Sequence, residues 1–190
     1  INLAWLKAFD TPKLKADLNS ELEDIYKEHS NNETYPSVNQ KEIRFIDALS
    51  QGLSQGMEKF ENSIIMGQDI AEYGGVFKVT NGFLEKFGNT RIKNTPIIES
   101  GLIGMGLGLS LSGMKPVIEI QFSDFVTCGF NQIVNNLAKT HYRWGENVNV
   151  TIRMPYGGGM GAGPFHSQCP ESWFFRVPGL KIVAPSNPKD

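Results

Sequence analysis

From residue 63 to residue 184, short runs too apolar to have a wet face alternate with stretches of helical periodicity, and this alternation limits the possible folds most sharply. Ser63-Ile64-Ile65-Met66-Gly67 reads as a strand buried on both sides. Residues 91–95, 116–122, 148–154 and 181–184 repeat the pattern. Between them the sequence predicts a short helix over 80–87 closed by Gly88, a glycine-containing helix over 99–112, and a short helix near 170–176. It also predicts one helix over 124–139 with Val126, Phe130, Ile133 and Leu137 turned inward. Strand and helix in alternation predict an α/β fold of three layers, a mainly parallel sheet flanked by helices. Ligands of such sheets gather at the carboxyl ends of the strands, where Glu99 and the loop over 156–163 both fall.

The beginning of the chain reads differently. Thr11 followed by Pro12 is a helix-start signature, and Leu14, Leu18, Leu22 and Ile25 recur at helical spacing, predicting an amphipathic helix that ends near His29. Residues 30–36 are polar and read as a linker, so 1–36 is expected to be an N-terminal helical arm and 37–190 the main domain. Asn39 with Glu42 resembles a capping box, and Ile43, Ile46, Leu49, Leu53 and Met57 mark the face of the helix it would open. With Ile1 at its start and Asp190 just after an expected strand, the chain reads as a fragment of something longer.

A net charge of −2 without a basic block supplies no field for nucleic acid. No apolar stretch reaches the roughly 18 residues of a membrane span. Cys128 and Cys169 show no metal-type spacing, which suits a reducing, cytoplasm-like compartment and thiols that are buried or unreactive; no metal site is expected in this chain.

Glu99 stands out chemically. It opens a segment whose Gly101, Gly104 and Gly108 share one helical face, and each glycine costs about 1 kcal/mol relative to alanine. Such a face suits close approach by another backbone or a ligand. A carboxylate beside it is either a helix-capping acid or a group able to hold and exchange a proton. The order G-x-x-G-x-G-x-G is not that of a dinucleotide fingerprint, and no G-K-[ST] follows. Five glycines within 157–163 precede His166, which is either a solvated loop residue or a proton donor delivered by a flexible segment. Phe125 is core or a stacking surface for a flat ring.

The run NTPIIESGLIGMGLGLSLSGMKPVIEIQFSDF, together with GAGPFHSQCPESWFFRVPGLKIVAPSNP, resembles the beta subunit of the thiamine-diphosphate-dependent decarboxylating component of 2-oxo acid dehydrogenase complexes. The resemblance runs from about Gly67 to Pro188, and residues up to about His29 resemble the closing helix of the alpha subunit, as in bacterial members that fuse the two. It implies a pyrimidine-binding domain in which Glu99 hydrogen-bonds a ring nitrogen of the cofactor, favouring the imino tautomer that deprotonates the thiazolium carbon. By the same resemblance Phe125 stacks on the pyrimidine, Gly101 lies against the cofactor, and His166 assists acyl transfer to the lipoyl group of a partner acyltransferase. Magnesium and the diphosphate would be held by an alpha-type domain, since its G-D-G motif is missing here, and a second beta-subunit domain is expected after residue 190. The fragment alone is then expected to be inactive, the complete enzyme an oligomer, and the compartment the bacterial cytoplasm. Gly74-Gly75-Val76-Phe77 and residues 165–171 resemble branched-chain members, while residues 71–73 and 78–79 resemble pyruvate members; the balance favours branched-chain acids. Competing readings are a thiamine enzyme of the transketolase or deoxyxylulose-phosphate synthase type, and a docking module without catalysis.

Overall fold

Strand β1 (Ser63–Gly67) is buried along its whole length because it runs between two parallel neighbours and under helices on both sides. With β2 (Ile92–Asn94), β3 (Lys115–Glu119) and β4 (Thr151–Arg153) it forms a parallel sheet in the order β2-β1-β3-β4. The computed structural model describes residues 2–28, 30, 35 and 41–190. In the register, Ile65 faces Ile92 on one side and Val117 on the other.

Because strand side chains alternate, the apolar run of β1 feeds two cores. Ile65 joins Met57, Ile70, Phe83 and Ile92 under helices α3 (Phe45–Lys59) and α4 (Phe83–Phe87). Ile64 and Met66 join Leu102, Ile103, Ile118, Val126 and Ile133 beneath helix α5 (Glu99–Leu111) and the segment that follows β3. Helix, sheet and helix make the three layers expected. Ile65, Ile103 and Ile118 are fully buried, each contributing about 1.5–3 kcal/mol.

Several local expectations are corrected. The predicted helix over 124–139 is three pieces: a 3-10 helix (Ser123–Gly129), a π-helical turn (Gln132–Leu137) and α6 (Ala138–Trp144). Gly129 packs against the side chain of Ile103 and the carbonyl of Glu99, so the segment must tighten to reach α5, and the wider turn then restores the register. The helix α7 (Glu171–Phe174) forms as expected and tilts Phe174 against Phe130 at 5.3 Å. Residues 181–184 form no strand: Ile182 and Val183 are exposed, and the sheet ends at β4. An apolar run becomes a strand only where a neighbouring edge accepts its ladder.

The start of the chain also departs from expectation. Helix α1 (Asn2–Asp10) precedes Thr11, whose hydroxyl donates to the Lys7 carbonyl at 2.7 Å and so closes a helix rather than opening one. Helix α2 (Leu18–Glu23) starts later, where the Asp17 carboxylate accepts from the Ser20 amide at 2.9 Å, and stops well before residue 29. The arm meets the domain where the Tyr26 hydroxyl donates to the Leu180 carbonyl and the Tyr142 hydroxyl donates to Glu21. Asn39 of the expected capping box, like His29 and most of the expected linker, lies outside the described residues; α3 itself begins only at Phe45, where Arg44 at its N-cap pairs with Asp47 in its first turn. Among the described residues no helix is long and apolar enough to cross a membrane.

The tightest joint in the sheet is at Gly67, where a Cβ would sit 2.7 Å from the carbonyl oxygen of Glu119 and 3.2 Å from Ile70. Gly67→Ala is expected to destabilise the domain by about 1–3 kcal/mol, seen as a lower urea midpoint with an unchanged slope.

Candidate functional site

The last rung of the sheet runs Asn94, Gly67, Glu119, Arg153 across all four strands, and it is polar where the rung before it contains Met66 and Ile118. Each polar side chain in this rung ties down a loop or a neighbour. Asn94 accepts from the Ala71 amide at 2.8 Å and donates to Glu72 at 2.7 Å, pinning the loop that leaves β1. Glu119, 6% exposed, accepts from the Arg153 guanidinium at 2.6 Å. The same loop folds Gly75 close over the other oxygen of Glu119.

Glu99 sits in the first turn of α5, where the helix dipole favours a negative charge. It is 8% exposed, and Gln68, the residue after β1, donates to its Oε1 at 3.2 Å. Among the described residues nothing hydrogen-bonds its second oxygen. That oxygen keeps some contact with solvent and is open to an incoming donor. Four residues earlier, the Thr95 hydroxyl is buried and unpartnered, while its amide donates to the Gly67 carbonyl at 2.9 Å.

The segment after β3 carries an aromatic cluster. Phe122 and Phe125 meet edge to face at 6.0 Å, and the ring of His166 lies edge-on to both, at 4.7 Å and 5.4 Å. Phe77 joins this cluster through Phe122 at 5.8 Å. Between the two rings in sequence, Asp124 is buried with one carboxylate oxygen unpartnered. A cavity of about 350 Å³ opens beside His166, with Phe77, Phe122, Ile46 and Leu49 among its apolar walls and Arg153 as its cation. The structure thus offers a sheltered carboxylate, a half-buried aromatic ring and an imidazole at one end of the sheet.

Glu99, Phe125 and His166, singled out in the sequence, all lie at the carboxyl end of the sheet. Gly101 and Gly108 face outward, with Gly104 half-buried near Gln132; the glycine packed into the core is Gly106, against Ile118 and Val150. Cys128 and Cys169 are free and exposed, so of the two expected alternatives, buried or unreactive, burial does not hold. Sequence reasoning missed Gln68, Glu119, Asp124 and Arg153. A polar residue just beyond an apolar run was the available signal for Gln68 and Asp124. The Glu119–Arg153 pair becomes visible only once the register is known. Among the described residues no group of three or more His, Cys, Asp or Glu side chains is arranged to hold a metal ion.

The family described as transketolase, pyrimidine binding domain, matches residues 41–190. A 2-oxoisovalerate dehydrogenase subunit beta 2 of Arabidopsis thaliana is 42% identical over 79% of this chain and 42% of its own length. A 2-oxoisovalerate dehydrogenase subunit beta of Bacillus subtilis is 41% identical over 78% and 46%, and a pyruvate dehydrogenase E1 component subunit beta of Leifsonia xyli is 41% identical over 82% and 47%. The chain therefore spans less than half the length of these relatives. Among solved structures, a split-gene transketolase, an inactive beta4 tetramer, covers 70% of this chain and 39% of its own at a TM-score of 0.52 and 21% identity, a likeness of fold.

The Glu119–Arg153 pair yields a direct test. Arg153→Met strands a buried charge and is expected to cost about 3–5 kcal/mol, whereas the double change Glu119→Leu with Arg153→Met is expected to recover most of it. Urea unfolding of the two variants measures the difference.

Proposed function

Since the chain belongs to the transketolase pyrimidine-binding-domain family, we propose that it supplies the pyrimidine-gripping half of a thiamine-diphosphate site in a 2-oxo acid dehydrogenase. The observation that carries this reading is Glu99, buried, held on one oxygen by Gln68 and unclaimed on the other. The residues present fit an aminopyrimidine. Glu99 offers an acceptor for a ring nitrogen, the unpartnered Thr95 hydroxyl lies four residues earlier in the loop before α5, and the half-buried ring of Phe125 offers a stacking surface. Gly101, in the first turn of α5, is exposed and backed by Ile98, so its place beside the cofactor rests on the family resemblance alone.

When bound, the cofactor supplies the carbanion chemistry that releases carbon dioxide from a 2-oxo acid. Glu99, only 8% exposed, would hold a proton between its free oxygen and a ring nitrogen of the pyrimidine. Gln68 fixes the carboxylate's orientation. In the complete reaction the carbon left after decarboxylation would bond to one sulfur of an oxidised lipoyl group as the disulfide breaks, then part from the cofactor as a thioester, and the second sulfur would take a proton. His166 is the donor of that proton.

Branched-chain 2-oxo acids are the favoured substrates, on the residues around Gly75 and His166 and on the two 2-oxoisovalerate dehydrogenase relatives. An alpha-type domain holds the diphosphate and magnesium, a lipoylated acyltransferase receives the acyl group, and the complete enzyme is an oligomer. Residues 1–36 form the closing arm of such an alpha-type chain and 37–190 the pyrimidine-binding domain; the match beginning at residue 41 supports this division. Two free cysteines suit the bacterial cytoplasm as its compartment.

In the complete enzyme Glu99→Gln is expected to lower carbon dioxide release by about 10²–10⁴-fold, with the loss in kcat rather than in KM. Unchanged turnover would instead favour a docking module. With the unaltered enzyme, kcat/KM for 2-oxoisovalerate is expected to exceed that for pyruvate by about tenfold or more, as two methyl groups in an apolar pocket allow.

A further inference from the structure

Between Phe122 and Phe125, whose rings touch the His166 imidazole, two side chains turn away from it and take hold of the backbone that follows. One oxygen of Asp124 accepts from the amides of Ser167 and Gln168, each at 3.3 Å, and from the Gln168 side-chain amide at 3.0 Å. The Ser123 hydroxyl donates to the Gln168 carbonyl at 2.9 Å. Ser123 is wholly buried and Asp124 nearly so, whereas residues 161–165, on the other side of His166, are exposed. The carboxylate oxygen is the acceptor in all three bonds, the shortest of them from the Gln168 side chain. The second oxygen of Asp124 is buried and accepts nothing, so the hold on 167–168 uses a single oxygen.

We infer that Asp124 is a positioning residue for His166, fixing the imidazole for acyl transfer by clamping the backbone of Ser167 and Gln168, with Ser123 as its helper. This rests on the reading of His166 given above. The aromatic rings set the tilt of the imidazole, and the clamp sets its depth. Without the clamp, His166 is held by its ring contacts and by one backbone bond, its amide donating to the Gly163 carbonyl at 3.2 Å within the glycine-rich segment, and a displacement of about 1 Å at a reacting group costs about 100-fold in rate. Since one oxygen suffices, an amide carbonyl at the same position keeps the clamp, and Asn restores what Ala removes.

The complete enzyme, assayed for acyl transfer to its lipoylated partner and for carbon dioxide release to an artificial electron acceptor, separates the possibilities. Asp124→Ala is expected to lower the ratio of transfer to release about 30-fold or more, and Asp124→Asn to return it to within about threefold. Ser123→Ala, a milder change that keeps the domain folded, is expected to lower the same ratio about fivefold. Amide hydrogen exchange at Ser167 and Gln168 should speed up in Asp124→Ala and slow again in Asp124→Asn. An equal fall of both activities in Asp124→Ala, an unmoved ratio in Ser123→Ala, or failure of Asn to restore it would each overturn the inference. His166→Asn serves as the reference. If it leaves the ratio unchanged, the role of His166 in transfer fails; if it lowers the ratio while the Asp124 and Ser123 variants do not, only the clamp fails.

Discussion

The fourfold rung Asn94–Gly67–Glu119–Arg153 governs the geometry of this domain. A parallel ladder presents all its carboxyl ends on one side, so every strand hands its chain to a loop at the same level. Polar side chains placed there hold those loops at fixed height. Gly67 lets β1 approach β3 closely enough for the next residue, Gln68, to reach Glu99. Glu119 and Arg153 lock the other half of the sheet, from which the Phe122–Phe125 and Tyr156–His166 segments depart.

Two carboxylates beyond this rung share a property. Glu99 and Asp124 are both buried, and each has one oxygen engaged and one without a hydrogen bond among the described residues. Unsatisfied buried acceptors are uncommon, at about 1–3 kcal/mol each, and they are tolerated where the spare valence serves chemistry or where the surroundings hold the group in place. For Glu99, whose second oxygen keeps contact with solvent, the first is the role proposed above. For Asp124 the second applies, because three donors converge on its other oxygen.

Much of the architecture could be read from the chain, for an identifiable reason. Ser63–Gly67 is apolar at every position except its ends, and only a strand covered on both faces needs that. Glu99 drew notice because glycines after it are expensive in a helix. Other features resisted reading because sequence patterns do not name partners. Thr11-Pro12 fits a helix start, yet the same hydroxyl reaches back to Lys7 and ends one. Residues 181–184 match the composition of a strand, but composition cannot supply an edge to pair with. Asp124 lies 43 residues from the nearest backbone it holds, too far for any local rule to connect.

The loop ahead of His166 combines exposure with backbone demands. Gly157, Gly161 and Gly163 have φ of 102°, 65° and 82°, conformations that an L side chain adopts only with strain. Gly158, Gly159, Met160 and Ala162 carry no such requirement. Over generations, then, this stretch should not drift as freely as an ordinary solvent-facing loop. Substitutions should accumulate at four of its seven places and be purged at the other three, leaving an imprint that an alignment focused on burial would miss.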